Sequence, residues 1–418
     1  EVEQVILGYI AEQPSTDFGF QRRLVDFVDD GDKVLCRVEE LTTGRIETIE
    51  TDFLVGCDGG RSTVRRQLGI GYEGTSSMAS FVSIYFRAPD MIKMHPFGHG
   101  NIFFPLHKDH RGFMLTWDDD QTYTYHLILD EGQDWQDVDP VQAVKDVVGA
   151  EFEVDVHSVQ PWDAHALVAE RYGDGRCFLA GDSAHLFSPT GGFGMNTGVS
   201  DAIELAWRLQ AALDGWAGPG LLASYDLERR PIGYRNTQEA ADCFDHLYRV
   251  MQHGDEIDEN GPEGDAIRQA LKADIKEQEK LIASSGTLLG YRYEGSPIIV
   301  PDGTPEPPDD ARKYVPVARP GHRAPHVWLD DGQALFDRLG PGFTLLRIGL
   351  GAPDATPIID AAAAAGMPLR VLELAEPMVA EVYDASLVLI RPDLMVAWRG
   401  TECPDDAVLV INTVRGAG

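Results

Sequence analysis

Residues 177–209 read CFLAGDSAHLFSPTGGFGMNTGVSDAIELAWRL. An apolar run, Arg176–Ala180, ends on Gly181-Asp182. The loop Pro189-Thr190-Gly191-Gly192-Phe193-Gly194 follows, and an amphipathic helix is expected from near Met195–Asn196. A strand that stops on a carboxylate sets it at the carboxyl edge of an open α/β sheet, where ligands bind. There Asp182 can accept hydrogen bonds from sugar or polyol hydroxyls. The glycines let backbone approach a flat ligand closely. Val199, Ile203, Ala206, Leu209 and Leu213 mark one face of the helix. Its free N–H groups and positive dipole end favour a developing negative charge beside the loop by roughly 0.3–2 kcal/mol.

Working outward, FLVGCDGGRSTVRRQLGI (53–70) repeats the theme. A short apolar strand, Phe53–Cys57, breaks at Asp58-Gly59-Gly60; Ser62 is placed to cap a helix over Thr63–Leu68, and Gly69 to stop it. Upstream, residues 1–16 read as a helix, and Lys33–Leu41 and Arg45–Thr51 as two strands. Residues 75–160 change texture: FVSIYF (81–86), GFMLTW (112–117) and TYTYHLIL (122–129) predict an inserted antiparallel sheet. Helix is expected over Ala206–Asp214, Leu221–Leu227 and Glu263–Ser284. Residues 295–325 are a proline-rich connector, and 326–418 alternate strand and helix. The expected divisions are therefore 1–74, 75–160, 161–294, 295–325 and 326–418.

The two glycine-aspartate stretches, with a strand-rich insert between them, resemble the class A flavoprotein aromatic hydroxylases. AGDSAHLFSPTGGFGMNTGVSDAIELAWRL is similar to their GD motif and FLVGCDGGRSTVRRQLGI to their DG motif. The resemblance implies that Gly181 and Asp182 meet the ribityl chain of FAD. It sets Pro189, Gly191, Gly192, Gly194, Met195 and Asn196 along the isoalloxazine, whose reduced form carries negative charge at N1 and the adjacent carbonyl. Asp58 and Gly59 would lie near the pyrophosphate and the approach of the nicotinamide. LGYRYEGSPIIVPDG (289–303), YVPVARPGHRAPHVWL (314–329) and LIRPDLMVAWRG (389–400) resemble the phenol-hydroxylase and polyketide-hydroxylase types, which carry a thioredoxin-like C-terminal domain. The implied fold is α/β: a partial Rossmann-like FAD domain, an inserted antiparallel substrate domain and a thioredoxin-like tail. The implied activity is hydroxylation of a phenolic or polycyclic aromatic substrate with NADPH or NADH and O2, through a flavin C4a-hydroperoxide. No catalytic base is identified.

The family opens with a strand, a GxGxxG turn and a helix for the ADP half of FAD. This chain has no such opening, so an N-terminally incomplete FAD domain is expected. Gly69-Ile70-Gly71-Tyr72-Glu73-Gly74 matches the pattern but follows a helix and precedes a strand, the reverse of the required context. The tail lacks CxxC, and Cys403 stands alone, so packing or dimer support is expected of it rather than redox work.

A net charge of -33 argues against nucleic acid or an anionic membrane as partner. Cys36, Cys57, Cys177, Cys243 and Cys403 are scattered, as in a reducing compartment. With no long apolar run or signal sequence, the cytoplasm is the expected location, and a homodimer the expected assembly. His95, His99, His107 and His110 offer no helical register for a metal, and prolines flank His322 and His326, so no metal site is expected. His185 follows Asp182-Ser183-Ala184 without a GxSxG elbow and is expected to brace the loop. Aromatics crowd the insert: Phe81, Tyr85, Phe86, Phe103, Phe104, Trp117, Tyr123, Tyr125 and Trp162. Most are expected in its core and some around a flat apolar pocket. Two other readings stand: another FAD oxidoreductase of this fold, such as a halogenase (whose WxWxIP signature is missing here) or a saturase-type reductase, and a non-catalytic fragment.

Overall fold

The computed structural model describes residues 2–94, 98–106, 109–117, 121–253, 255–277 and 283–418. The site is built around a small sheet in which Cys177–Leu179 pairs parallel with Leu54–Gly56, Cys177 opposite Leu54 and Leu179 opposite Gly56. Gly173–Asp174 adds an antiparallel edge. Both strands end where their chains turn into the glycine-aspartate motifs, so the two motifs emerge side by side. A three-stranded antiparallel sheet, Arg22–Asp29, Val34–Glu40 and Arg45–Thr51, packs beside it through Cys36 and Cys177. Its first strand was not expected; RRLVDFVD mixes charge with apolar residues on one half-buried edge and gives a weak alternation.

The inserted sheet has six strands, ordered His185–Leu186, Asp155–Ala169, Tyr72–Arg87, Thr122–Ile128, Gly112–Thr116 and Ile102–Phe103, all antiparallel. One face carries Val82, Ile84, Phe86, Tyr123, Tyr125 and Met114 in a core with Ala143 and Val144 of the helix Pro140–Val148. That helix is capped as its sequence demands: Asp139 accepts from Val141 and Gln142, Pro140 opens it, and left-handed Gly149 ends it. The expected boundaries at 74/75 and 160/161 fall inside the continuous strands Tyr72–Arg87 and Asp155–Ala169, so the sheet runs through both regions. The Gly69–Gly74 stretch leads from a helix stop into a strand; a Cβ on Gly74 would lie 2.1 Å from the Ala166 carbonyl oxygen.

The helix Ser224–Met251 is far longer than the expected Leu221–Leu227. Pro231 and Gly233 disguised it; a buried glycine is tolerated there because Tyr172 leaves no room for a Cβ. The charged helix spans Pro262–Glu277, and the rest of the expected stretch, through residues 278–282, leaves the described residues. In the tail, Leu369–Leu374, Phe343–Ile348, Leu387–Ile390 and Val396–Gly400 form a mixed sheet whose first pair is parallel. The helices Thr356–Ala364 and Ala407–Val414 cover it, which fits the thioredoxin-like expectation. Among the described residues no helix is long and apolar enough to cross a membrane.

Candidate active site

The strand Cys177–Leu179 runs into a single 3-10 turn, Gly181–Ser183. Gly181 takes φ +61°, a conformation that suits glycine. The Asp182 carboxylate is exposed, and among the described residues no hydrogen bond reaches it; only its backbone carbonyl is used, accepting from Tyr72 Oη at 3.0 Å. Asp58 differs. Its Oδ2 accepts from the N–H groups of Thr63 (2.6 Å) and Val64 (3.2 Å), so it caps the helix Thr63–Gln67 together with Ser62. Gly59 turns beside it at φ +78° with open space around it.

Beyond Asp182, Pro189 leads into the turn Thr190–Gly192, with Gly191 and Gly192 in succession left-handed at φ +79° and +67°. The helix opens at Phe193, earlier than the expected Met195–Asn196, and spans Phe193–Leu213. Phe193 is buried against Ala240 and Cys243, which draws the first turn back to it. No side chain caps that turn; Met195 and Asn196 are exposed, and Asn196 returns its amide N–H to the Gly192 carbonyl at 2.8 Å. A Cβ on Gly194 would lie 3.5 Å from the Phe187 ring. The helix crosses the strand end at Gly198, where a Cβ would sit 3.2 Å from Gly181 Cα.

Of the face read from Val199, Ile203, Ala206, Leu209 and Leu213, most points outward: Val199, Ile203 and Leu213 are 54%, 53% and 57% exposed and Ala206 is exposed, whereas Leu209 is half-buried against the core. The buried side instead carries Asp201, Glu204 and Arg208 with Leu205, Trp207 and Ala211. Charge is tolerated there because it is paired. Asp201 accepts from His185 Nε2 (2.7 Å), Arg229 Nε (2.8 Å) and the Gly181 N–H (3.1 Å). Burial pushes Asp201 up, yet Arg229 and His185 outweigh it and hold its pKa below the ordinary value. His185 thus braces the loop through Asp201, and Phe187 stacks on it at 4.7 Å. Further along, Arg208 bonds Glu204 (2.8 Å) and Glu228, while Arg391 of the tail bonds Glu228 (2.7 Å), Glu204 (3.2 Å) and Asp393. Burial drives Asp393 up, Arg391 opposes, and Glu204 reinforces the rise, to about 8. Glu204 is pushed up by burial but held well below the carboxylate range by Arg208, by a hydrogen bond from Asp393 and by Arg391. A protonated Asp393 makes three carboxyls and two guanidiniums neutral. Sequence reading did not find this cluster, because helical acids and arginines are usually solvated.

The second face of the six-stranded sheet is ring-rich. Phe81 stacks on Trp162 (4.3 Å, 4°), and Phe244 and Phe113 each meet Phe81 edge-on at 6.2 Å. Phe86, Tyr123 and Tyr125 are buried on the other side, as expected of core rings, whereas Tyr85, Phe104 and Trp117 are partly exposed. The helix Ser224–Met251 links this face to the loop: the Ala240 carbonyl accepts from Ser188 Oγ (3.0 Å) and Thr190 Oγ1 (2.7 Å), one turn before Phe244. A cavity of about 1190 Å³ runs from Arg61, beside the Asp58-Gly59 turn, to Phe81, Trp162, His165 and Tyr248. His95 and His107 lie outside the described residues, and among those described no three His, Cys, Asp or Glu side chains converge as a metal site. His322 bonds Glu306 at 2.5 Å while His326 packs on Trp328 and Phe336, so the two do not converge.

Residues 1–240 match the family model of the FAD binding domain, and residues 317–416 that of the aromatic-ring hydroxylase C-terminal domain. The chain belongs to the FAD-dependent aromatic-ring hydroxylases. A 4-methyl-5-nitrocatechol 5-monooxygenase of Burkholderia sp. is 32% identical over 429 residues, covering 96% of this chain and 74% of that protein. The FAD-dependent monooxygenase apdD of Emericella nidulans is 33% identical over 385 residues, 86% of this chain; the match spans 61% of the relative's length. The crystal structure of the flavin-dependent monooxygenase PieE in complex with FAD and substrate superposes with a TM-score of 0.87 at 29% identity, covering 100% of this chain and 79% of that one.

The residues present fit FAD. Left-handed Gly192 has open space on the side a Cβ would take, the helix after it is uncapped, and Asp182 keeps its acceptors free at a parallel strand end.

Proposed function

We propose that this chain hydroxylates a phenolic or polycyclic aromatic substrate with NAD(P)H and O2. The observation that carries the reading is the pairing of an unpartnered Asp182 carboxylate with an uncapped helix start across two left-handed glycines, in a loop anchored at Ala240 on the helix whose Phe244 meets the ring-lined sheet face. The residues that would hold FAD are Gly181 and Asp182 along its polyol chain and Pro189, Gly191, Gly192, Gly194, Met195 and Asn196 beside its ring system. Asp58 and Gly59 would stand near its pyrophosphate. FAD, when bound, accepts the hydride of the nicotinamide and activates O2.

The chain's own residues orient and exclude. Gly181 and Gly198 bring strand and helix backbones into contact, so the dipole end is aimed rather than free to swing. Asp201 fixes the Gly181 N–H, and His185, stacked on Phe187 and bonded to Asp201, braces the loop from the sheet's edge strand. The stacked Phe81 and Trp162, with Phe113 and Phe244 edge-on to Phe81, give an aromatic surface for a ring substrate. Scattered unpaired thiols support a cytoplasmic setting, and the tail, without CxxC, is proposed to serve packing or homodimer support.

The test is spectroscopic and kinetic: the purified chain takes up FAD, and phenols speed its oxidation of NAD(P)H with formation of a hydroxylated product. Faster oxidation with no oxygenated product would favour another FAD oxidoreductase of this fold. No flavin uptake would favour a non-catalytic fragment.

A further inference from the structure

We infer that His126 donates a hydrogen bond to an oxygen atom of the aromatic substrate, positioned for this by Ser83 and Trp162 on the ring-lined sheet face; the inference rests on the aromatic-hydroxylase reading above. Ser83 and His126 are direct partners across Tyr72–Arg87 and Thr122–Ile128. An indole can only donate, and Trp162 Nε1–H goes to Ser83 Oγ at 2.7 Å. Ser83 Oγ lies 2.7 Å from His126 Nδ1. A hydroxyl has one hydrogen, and among the described residues no acceptor other than Nδ1 faces it, so Ser83 donates to Nδ1. The ring's own proton is thereby placed on Nε2.

Among the described residues no hydrogen-bond partner meets Nε2. The imidazole cannot readily swing away, because it stacks on Phe113 (4.5 Å, 24°) and sits edge-on to Trp162 (5.7 Å, 85°). Burial lowers its pKa to about 4, which keeps it neutral near pH 7. The result is a fixed, uncharged donor among Phe81, Phe113 and Trp162. That combination selects a flat ring bearing a carbonyl or phenolate oxygen over one bearing only alkyl groups, since the unanswered donor would otherwise be desolvated without a partner. The ring-lined face is tied to the glycine loop: Phe244, against Phe81, is one turn past Ala240, which anchors that loop, and residues four apart on a helix are separated by about 6 Å.

The probe is 4-nitrophenol, whose phenolate absorbs visible light, with 4-nitroanisole as a control that has no ionisable oxygen. Both are titrated across pH into the FAD-loaded full chain and into His126→Phe, His126→Gln and Ser83→Ala. Wild type is expected to bind nitrophenolate at least about tenfold more tightly than nitroanisole, and to lower the ionisation midpoint of the bound probe. His126→Phe loses both effects; His126→Gln, whose amide N–H can reach the same oxygen, keeps part; Ser83→Ala weakens the preference. Circular dichroism establishes folding, and Ser83→Ala carries the test should His126→Phe not fold. Unchanged preference and midpoint in a folded His126→Phe or Ser83→Ala variant, or no probe binding by wild type, overturns the inference. Failure of the broader reading looks different: phenols do not speed NAD(P)H oxidation although the His126-dependent shift persists.

Discussion

Asp182 is unusual among the chain's acids in standing at a strand end with no partner, and this makes it easy to test. Asp182→Ala should weaken FAD binding by about tenfold or more, the loss of a charge-assisted hydrogen bond, in a fluorescence-quenching titration. Its urea midpoint should stay at the wild-type value, because no described contact is removed. His126 gives a pH signature. An unfolded imidazole titrates near about 6.5, whereas the folded one titrates near 4. As pH falls, the unfolded chain therefore takes up the proton first, so stability is present above that window and is lost from about 6.5 downwards. His126→Phe should flatten this acid limb in urea melts at stepped pH. Asp182 was legible because a carboxylate between an apolar run and a glycine loop has few structural excuses. His126 was not: a single histidine in an alternating strand looks like any half-buried polar residue, and only the cross-strand Ser83 and diagonal Trp162 give it a role.

At the scale of elements, the glycine-rich turn, both motif strands and the helix Phe193–Leu213 were legible from local chemistry, while the full length of Ser224–Met251 was not. Periodicity placed Val199, Ile203 and Leu213 on one face of Phe193–Leu213 correctly, but it could not say that this face looks out and that Asp201, Glu204 and Arg208 look in. Apolar patterning assumes that charge seeks water; here ion pairs supplied by Ser224–Met251 and the tail reverse the rule. That second helix meets Tyr172, whose buried hydroxyl finds no partner among the described residues and whose pKa burial raises. A Cβ on Gly233 would lie 1.9 Å from that hydroxyl. Gly233→Ala should therefore destabilise the chain by about 1–3 kcal/mol through overpacking. Tyr172→Phe should be near neutral, and the double variant should recover part of the loss. A thermal-melt double-mutant cycle reads all three, and strict additivity would count against the contact.

At the scale of the molecule, Arg391 ties the tail to the helices Phe193–Leu213 and Ser224–Met251. Arg391→Met leaves Glu228 and Glu204 short of a cation in the interior, which should cost about 3–5 kcal/mol. It should also split a single calorimetric transition into two. Asp393→Asn should cost much less near neutral pH, since Asp393 is already protonated there. The unfolded carboxyl releases its proton near about 4, the folded one near 8, so stability is lost as pH rises through that interval; the asparagine variant should lose that slope. The three-part plan was legible from texture changes along the chain, but its seams were not, because Tyr72–Arg87 and Asp155–Ala169 cross them without a break. Those two strands have a mechanical consequence. Tyr72–Arg87 is a bent rule, kinked by irregularities between Thr75 and Ala79 and at Tyr85/Phe86, anchored at Tyr72 to the Asp182 backbone and bearing Ser83 farther out. Evolution can therefore recut the outer graduations to suit a new molecule while the zero mark stays fixed beside Asp182.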